Sequence, residues 1–146
     1  MGFKQNLFTI AVTVVVTLTA FPTLIGLAKL AETGYFPVLQ PLTVTRSVRT
    51  SDEGVVIYGR VQKTRDCQFE NVSFYKKTRF GDELVSAERL KPPKVESNPV
   101  GATVFGPWKV DVTKEELEAI TTIKALHRCH PLYLTESIIY NGGKGQ

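Results

Sequence analysis

The feature that most constrains this chain is an uncharged stretch near its N-terminus. From Leu7 to Ala28 the sequence is almost wholly apolar or threonine and carries no charged side chain. As a helix rising about 1.5 Å per residue, this stretch reaches about 33 Å, enough to cross a bilayer core of about 30 Å. A soluble domain of this size could not bury so long a run. The sequence therefore predicts a membrane or export segment over residues 1–30.

Two interpretations of this segment remain open. As a signal peptide, it would use Lys4 as its basic flank and Gly26-Leu27-Ala28 as a small-x-small cleavage site, so that the rest is secreted after cleavage near Ala28. As an anchor, it would end at the stop-transfer residue Lys29. We favour the anchor because the apolar run is longer than the usual signal core. Both interpretations place the remainder in the periplasm or outside the cell.

The two cysteines, Cys67 and Cys129, are expected to form a disulfide in such a compartment. Each lies inside a strand-like run. Closing so long a loop would restrict the unfolded chain by about 4 kcal/mol in the loop-entropy model. The alternative is a pair of buried free thiols that pack as small apolar groups.

The residues after the segment divide into a linker, a β-domain and a tail. Prolines at 37 and 41 predict an irregular linker over residues 31–42. Alternating apolar residues separated by turn signals predict six or seven strands over residues 43–140, and the Gly-rich residues 141–146 are predicted to be disordered. The predicted strands are Thr43–Val48, Val55–Val61, Cys67–Lys76, Glu83–Leu90, Val100–Val112, Thr121–Cys129 and Leu132–Tyr140.

This pattern predicts an all-β fold, a small β-sandwich with one short helical turn begun by the capping box at Thr113–Glu116. A change of parity in the third strand predicts a β-bulge near Glu70-Asn71. Trp108 falls on the predicted core face of the Val100–Val112 strand. An immunoglobulin-like topology is one option, although Trp108 follows Cys67 at a longer spacing than immunoglobulin domains use.

The cluster His127-Arg128-Cys129-His130 holds both histidines of the chain beside a cysteine. Imidazole and thiolate bind zinc and copper, so the alternative to a structural role is a small metal-binding or thiol-redox domain. Side chains alternate along a strand, so His127 and Cys129 would share one face and His130 the other. A disulfide would also remove Cys129 from a ligand set. We therefore expect no metal or other cofactor and a structural role for His127, packed beside the bridge and hydrogen-bonded locally.

No catalytic motif is recognisable, so we predict that the protein is not an enzyme. The short basic stretch Tyr75–Phe80 is followed at once by Asp82 and Glu83, which disfavours nucleic acid as a partner. The expected partners are the membrane, through residues 1–30, and another protein.

Two stretches, Gly59–Cys67 and His127–Leu132, together with Gly106-Pro107-Trp108, resemble segments of small uncharacterised proteins encoded by phages and prophages. The resemblance covers about a quarter of the chain and implies an N-terminal hydrophobic segment followed by a β-rich domain. It implies an origin and a location rather than a chemistry. The sequence thus predicts a membrane-anchored, extracytoplasmic accessory or binding domain that acts through protein–protein contact.

Overall fold

The N-terminal segment forms one long helix in the computed structural model, which describes residues 2–50, 54–91 and 99–143. Helix α1 spans Gly2–Tyr35 and makes up the first of two units, Met1–Phe36. It continues through Pro22 and past Lys29 into the predicted linker. Its last backbone bond joins the Phe36 amide to the Glu32 carbonyl at 3.0 Å, and it ends there because Pro37 disfavours a helical residue before it.

Four threonines of α1 satisfy their hydroxyl groups within the helix. The Thr13, Thr17, Thr19 and Thr23 hydroxyls each donate to the carbonyl four residues earlier, at 2.7–2.9 Å. A hydroxyl bonded in this way exposes no unsatisfied donor to lipid. The most apolar 18-residue stretch within Phe8–Tyr35 has a mean hydropathy of 2.2, and none of it is buried. Its length and composition are those of a membrane anchor or a signal sequence.

The second unit, Pro37–Gln146, contains two four-stranded antiparallel sheets. The first has the order β1-β2-β6-β5 and the second β4-β3-β7-β8, which confirms the predicted all-β sandwich. The elements are β1 Thr43–Arg49, β2 Val55–Lys63, β3 Gln68–Thr78, β4 Gly81–Val85, β5 Ala87–Arg89, β6 Gly101–Val110, α2 Lys114–Ile120, β7 Thr121–Arg128 and β8 Thr135–Asn141.

The centre of the sandwich is apolar. Phe74 of β3 is 1% exposed, and its ring lies 6.4 Å from that of Phe105 and 5.6 Å from that of Trp108, both on β6 of the opposite sheet. Ile57 and Ile123 are completely buried beside them. Trp108 is half-buried against this core.

Two irregularities set which side chains face the core. The predicted bulge is present, because Glu70 is the extra residue between the pairs Phe69–His127 and Asn71–Leu126. A second bulge at Gly106-Pro107, in β6, was not predicted. It reverses the parity of the strand, so that Phe105 faces the core and Val104 is exposed. Val104 therefore does not share the face of Trp108, although unbroken alternation along the predicted Val100–Val112 strand would put both on one side.

Several predicted boundaries differ in the structure. The predicted strand Glu83–Leu90 is divided at Ser86, and its halves, β4 and β5, belong to different sheets.

Residues 38–42, predicted as linker, pack into the domain, where Val38 and Leu42 are buried. The Val38 amide donates to the Ser137 hydroxyl at 3.2 Å, and the Gln40 amide donates to the Gln62 carbonyl at 2.9 Å. Burial of these apolar side chains holds the segment against the domain despite its prolines. Of the predicted tail, Asn141 ends β8 and residues 144–146 lie outside the described residues.

Candidate functional site

Cys67 and Cys129 are joined by a disulfide, in agreement with the predicted pairing. Cys67 immediately precedes β3 and Cys129 immediately follows β7. These strands are neighbours in one sheet, and Gln68 pairs with Arg128 beside the bridge. The bridge therefore ties two adjacent strands at one end of the sandwich, whereas the disulfide of antibody domains joins the two sheets.

The His-Cys-His cluster is separated by the fold. His127 lies on β7 and is 2% exposed, while the His130 ring packs edge-on against Tyr133 outside the strands, with centroids 3.8 Å apart. The His130 Nδ1 atom accepts from the Leu132 amide at 3.3 Å. Within the described ranges, no group of three or more His, Cys, Asp or Glu residues is arranged to hold a metal ion.

A cavity of about 120 Å³ opens between the two sheets beside the disulfide end. We call it the cationic cavity because Lys63 and Arg89 line it, together with the imidazole of His127. Its remaining walls are mostly apolar or aromatic: Leu39, Val61, Phe69, Val72, Thr103, Val104, Phe105, Gly106, Trp108, Ala125 and Ile139. No carboxylate belongs to the described lining of this cavity.

His127 is buried in this cavity without full hydrogen bonding. Its Nδ1 atom is inaccessible to solvent and has no hydrogen-bond partner, contrary to the predicted local hydrogen bond. The ring of Phe69 contacts it edge-on, with centroids 5.7 Å apart. Burial and the neighbouring Lys63 ammonium lower the pKa of the His127 imidazole from 6.5 to about 4, so the ring is neutral at pH 7.

Lys63 and Arg89 add positive charge to the same cavity. Lys63, the last residue of β2, is 3% exposed, and its Nζ lies 3.8 Å from the Asp66 carboxylate, which is 87% exposed to solvent. The Arg89 guanidinium lies 5.7 Å from the centre of the Trp108 ring, and its Nε atom is buried without a hydrogen-bond partner. Buried cationic groups are uncommon in proteins because desolvation penalises them.

Sequence reasoning missed both cationic residues, although a signal for Lys63 exists. The core-facing positions of β2 are every second residue from Val55, and continuing that period reaches Lys63. The predicted strand Val55–Val61 stops two residues short of Lys63. Arg89 had no comparable signal, because the division at Ser86 that moves β5 into the first sheet depends on tertiary packing.

Comparison of the chain with protein-family models, with curated proteins and with solved structures found no match.

Proposed function

We propose that this protein is a non-enzymatic accessory domain, anchored in a membrane by α1 and facing the periplasm or the cell exterior, that acts through protein–protein contact. The observation that carries the proposal is the exposed apolar segment Phe8–Tyr35 followed by a disulfide-linked sandwich. Disulfides persist in oxidising compartments. Because α1 continues without a break beyond Ala28, we favour a retained anchor over a cleaved signal. The resemblance to phage-encoded proteins extends the proposal to a role at a host cell envelope.

The proposal includes an immunoglobulin-like topology. When the eight strands are lettered in chain order as A, B, C, C′, D, E, F and G, the sheets read A-B-E-D and C′-C-F-G. This order corresponds to the ABED and CFG sheets of immunoglobulin domains with C′ added to the second. Sandwiches of this kind commonly serve as recognition modules at cell surfaces, which supports a binding role by analogy alone.

The β3–β4 hairpin is the proposed contact surface. Phe80 at its tip is fully exposed, and Leu84 on the edge strand β4 is 67% exposed. Lys77 and Arg79 flank the phenyl ring in sequence. An exposed aromatic anchor with basic neighbours fits a partner protein that offers an apolar pocket with an acidic rim.

Location is tested first, with the full chain carrying a C-terminal epitope tag in bacterial cells. We expect the protein to remain in the membrane after alkaline washing, with Met1 at its N-terminus and a tag that protease removes once the outer envelope is opened. A Val15→Arg/Leu18→Arg variant should lose membrane retention, whereas Val15→Ile/Leu18→Ile should keep it. Lys29 as the mature N-terminus would replace the anchor by secretion. A tag that the protease does not remove, together with free thiols at Cys67 and Cys129, would refute the extracytoplasmic location.

The contact surface is tested by placing a photo-reactive amino acid at position 80 or, as a control, at exposed Glu88 on β5. We expect one crosslinked protein from position 80, none from position 88, and loss of the adduct when Arg79→Glu is added. Equal adducts from both positions would contradict a role for the hairpin. So would the absence of any adduct from position 80.

A further inference from the structure

We propose that the cationic cavity binds the carboxylate of a small apolar molecule, with one aromatic ring or a short aliphatic chain, between the two sheets. This inference concerns a different face of the domain from the hairpin and does not depend on the anchor. It rests on the charge, the walls and the volume of the cavity.

The charge of the cavity is suited to an anion. Lys63 and Arg89 line it, and its described lining contains no acidic side chain. The Asp66 carboxylate that pairs with Lys63 is largely in solvent and does not belong to the lining, so it leaves the interior of the cavity positive. A bound carboxylate would lie near the buried Lys63 ammonium and the partly buried Arg89 guanidinium, with which it can form charge-assisted hydrogen bonds.

Two buried nitrogen atoms in the cavity have no hydrogen-bond partner. These are the His127 Nδ1 atom, on a side chain that is 2% exposed, and the Arg89 Nε atom. Buried polar atoms in native proteins are nearly always bonded, and each exception calls for an explanation such as an absent ligand. Neither atom is accessible to solvent, so a carboxylate can accept from them only after the Arg89 and His127 side chains turn toward the cavity that they line.

The walls and the size define the rest of the ligand. Phe69, Trp108 and Phe105 contribute aromatic surfaces to the cavity, and Val61 and Ile139 contribute aliphatic ones. The volume, about 120 Å³, is close to that of cavities of about 150 Å³ that accommodate benzene. A ligand with one ring or about five to six carbons behind its carboxylate would fill this space, which makes benzoate and hexanoate suitable probes.

The test uses the single tryptophan of the chain, Trp108, which lines the cavity and reports its occupancy by fluorescence. The full chain in lipid nanodiscs is titrated with benzoate, with hexanoate, and with the neutral isostere benzyl alcohol. We expect saturable changes with both carboxylates, half-complete at about 1 mM or below, and at least about tenfold weaker binding of benzyl alcohol. Equal binding of benzyl alcohol, or no saturable change with either carboxylate, would overturn the proposal.

Two substitutions locate the binding. Lys63→Met and Arg89→Met each remove one charge while keeping an unbranched apolar stem, and each should weaken benzoate binding about tenfold or more. The matched control is Lys124→Met, because Lys124 lies on β7 and pairs with Glu136 at 3.3 Å outside the cavity lining. This control should bind benzoate like the unmodified protein. Thermal unfolding with and without benzoate gives a second readout. Unchanged binding in both cavity variants would assign the signal to another site and refute the proposal.

Discussion

The middle of the sandwich and its disulfide end use neighbouring segments of the same strands but bury different chemistry. In the middle, β2, β3 and β7 contribute Ile57, Phe74 and Ile123, which are at most 1% exposed and wholly apolar. At the disulfide end, β2 and β7 contribute Lys63 and His127, which are nearly as buried yet line a cavity. Dense apolar packing favours stability, whereas a cavity that holds partly unsatisfied polar groups is what a binding site requires. The comparison therefore distinguishes the packed apolar centre from the cavity beside it, and Phe105 and Trp108 belong to both.

The largest loss of unfolding free energy is expected at the apolar centre, where side-chain packing holds the two sheets together. Phe74→Ala would remove a ring that contacts Phe105 and Trp108 across the sandwich and would lower the unfolding free energy by about 4 kcal/mol. Phe69→Ala, in the cavity wall, should lower it by less than half as much because Phe69 is 38% exposed. Urea denaturation of both variants in nanodiscs measures the two values. Equal losses would remove the distinction between the two regions.

The next largest effect concerns how the disulfide end is held closed. We expect the Cys67→Ser/Cys129→Ser variant to lose about 3 kcal/mol of unfolding free energy. Amide hydrogen exchange should accelerate most at Gln68 and Arg128, which pair beside the bridge, and least at Phe74 and Ile123. A reductant should destabilise the unmodified protein and leave the variant unchanged. Uniform acceleration across β3 and β7 would show that the bridge does not act locally.

A pH titration distinguishes the buried imidazole from the apolar centre. The pKa of His127 is lowered in the folded state to about 4, so the unfolded chain binds a proton first as the pH falls below 6.5. Protonation of His127 leaves the unfolding free energy unchanged above pH 6.5. Between pH 6.5 and 4 it lowers the unfolding free energy by up to about 1.4 kcal/mol per pH unit. Lys63 and Arg89 are the charged groups that share the cavity with the ring.

The matched variant for this titration is His127→Leu. It should match or exceed the stability of the unmodified protein at pH 7, because it removes a buried nitrogen without a partner, and it should lack most of the decline between pH 6.5 and 4. Denaturation midpoints at half-unit pH intervals measure both properties. An unchanged pH profile in the variant would mean that other groups govern the acid sensitivity.

The same comparison explains which features could be predicted from sequence. Strand periodicity located most of the sandwich, and the parity change around Glu70 predicted its bulge, because both depend on residues that are close in the chain. The bulge at Gly106-Pro107 was missed because its cause lies in the opposing strand. Gly106 has a φ of +94°, and a Cβ atom there would lie 2.4 Å from the Ile57 carbonyl oxygen. The cationic cavity was missed for a related reason. Lys63, Arg89 and His127 come from three strands in two sheets, and their proximity is a property of the topology.

The smallest predicted loss of unfolding free energy is at the start of α2, away from both regions, and this site serves as a control for the other variants. The Thr113 hydroxyl accepts from the Glu116 amide at 3.2 Å, and the Glu116 carboxylate accepts from the Thr113 amide at 3.0 Å. That backbone hydrogen bond, with Lys76 nearby, lowers the pKa of Glu116. Thr113→Ala should lower the unfolding free energy by about 1 kcal/mol, and Thr113→Ser by only a few tenths, because serine preserves the cap.

Urea denaturation should show that benzoate stabilises Thr113→Ala and the unmodified protein equally, since the cap and the cavity share no side chain. A smaller stabilisation of Thr113→Ala would reveal coupling between the cap and the cavity, and the effects of the cavity variants could then no longer be assigned to the cavity alone.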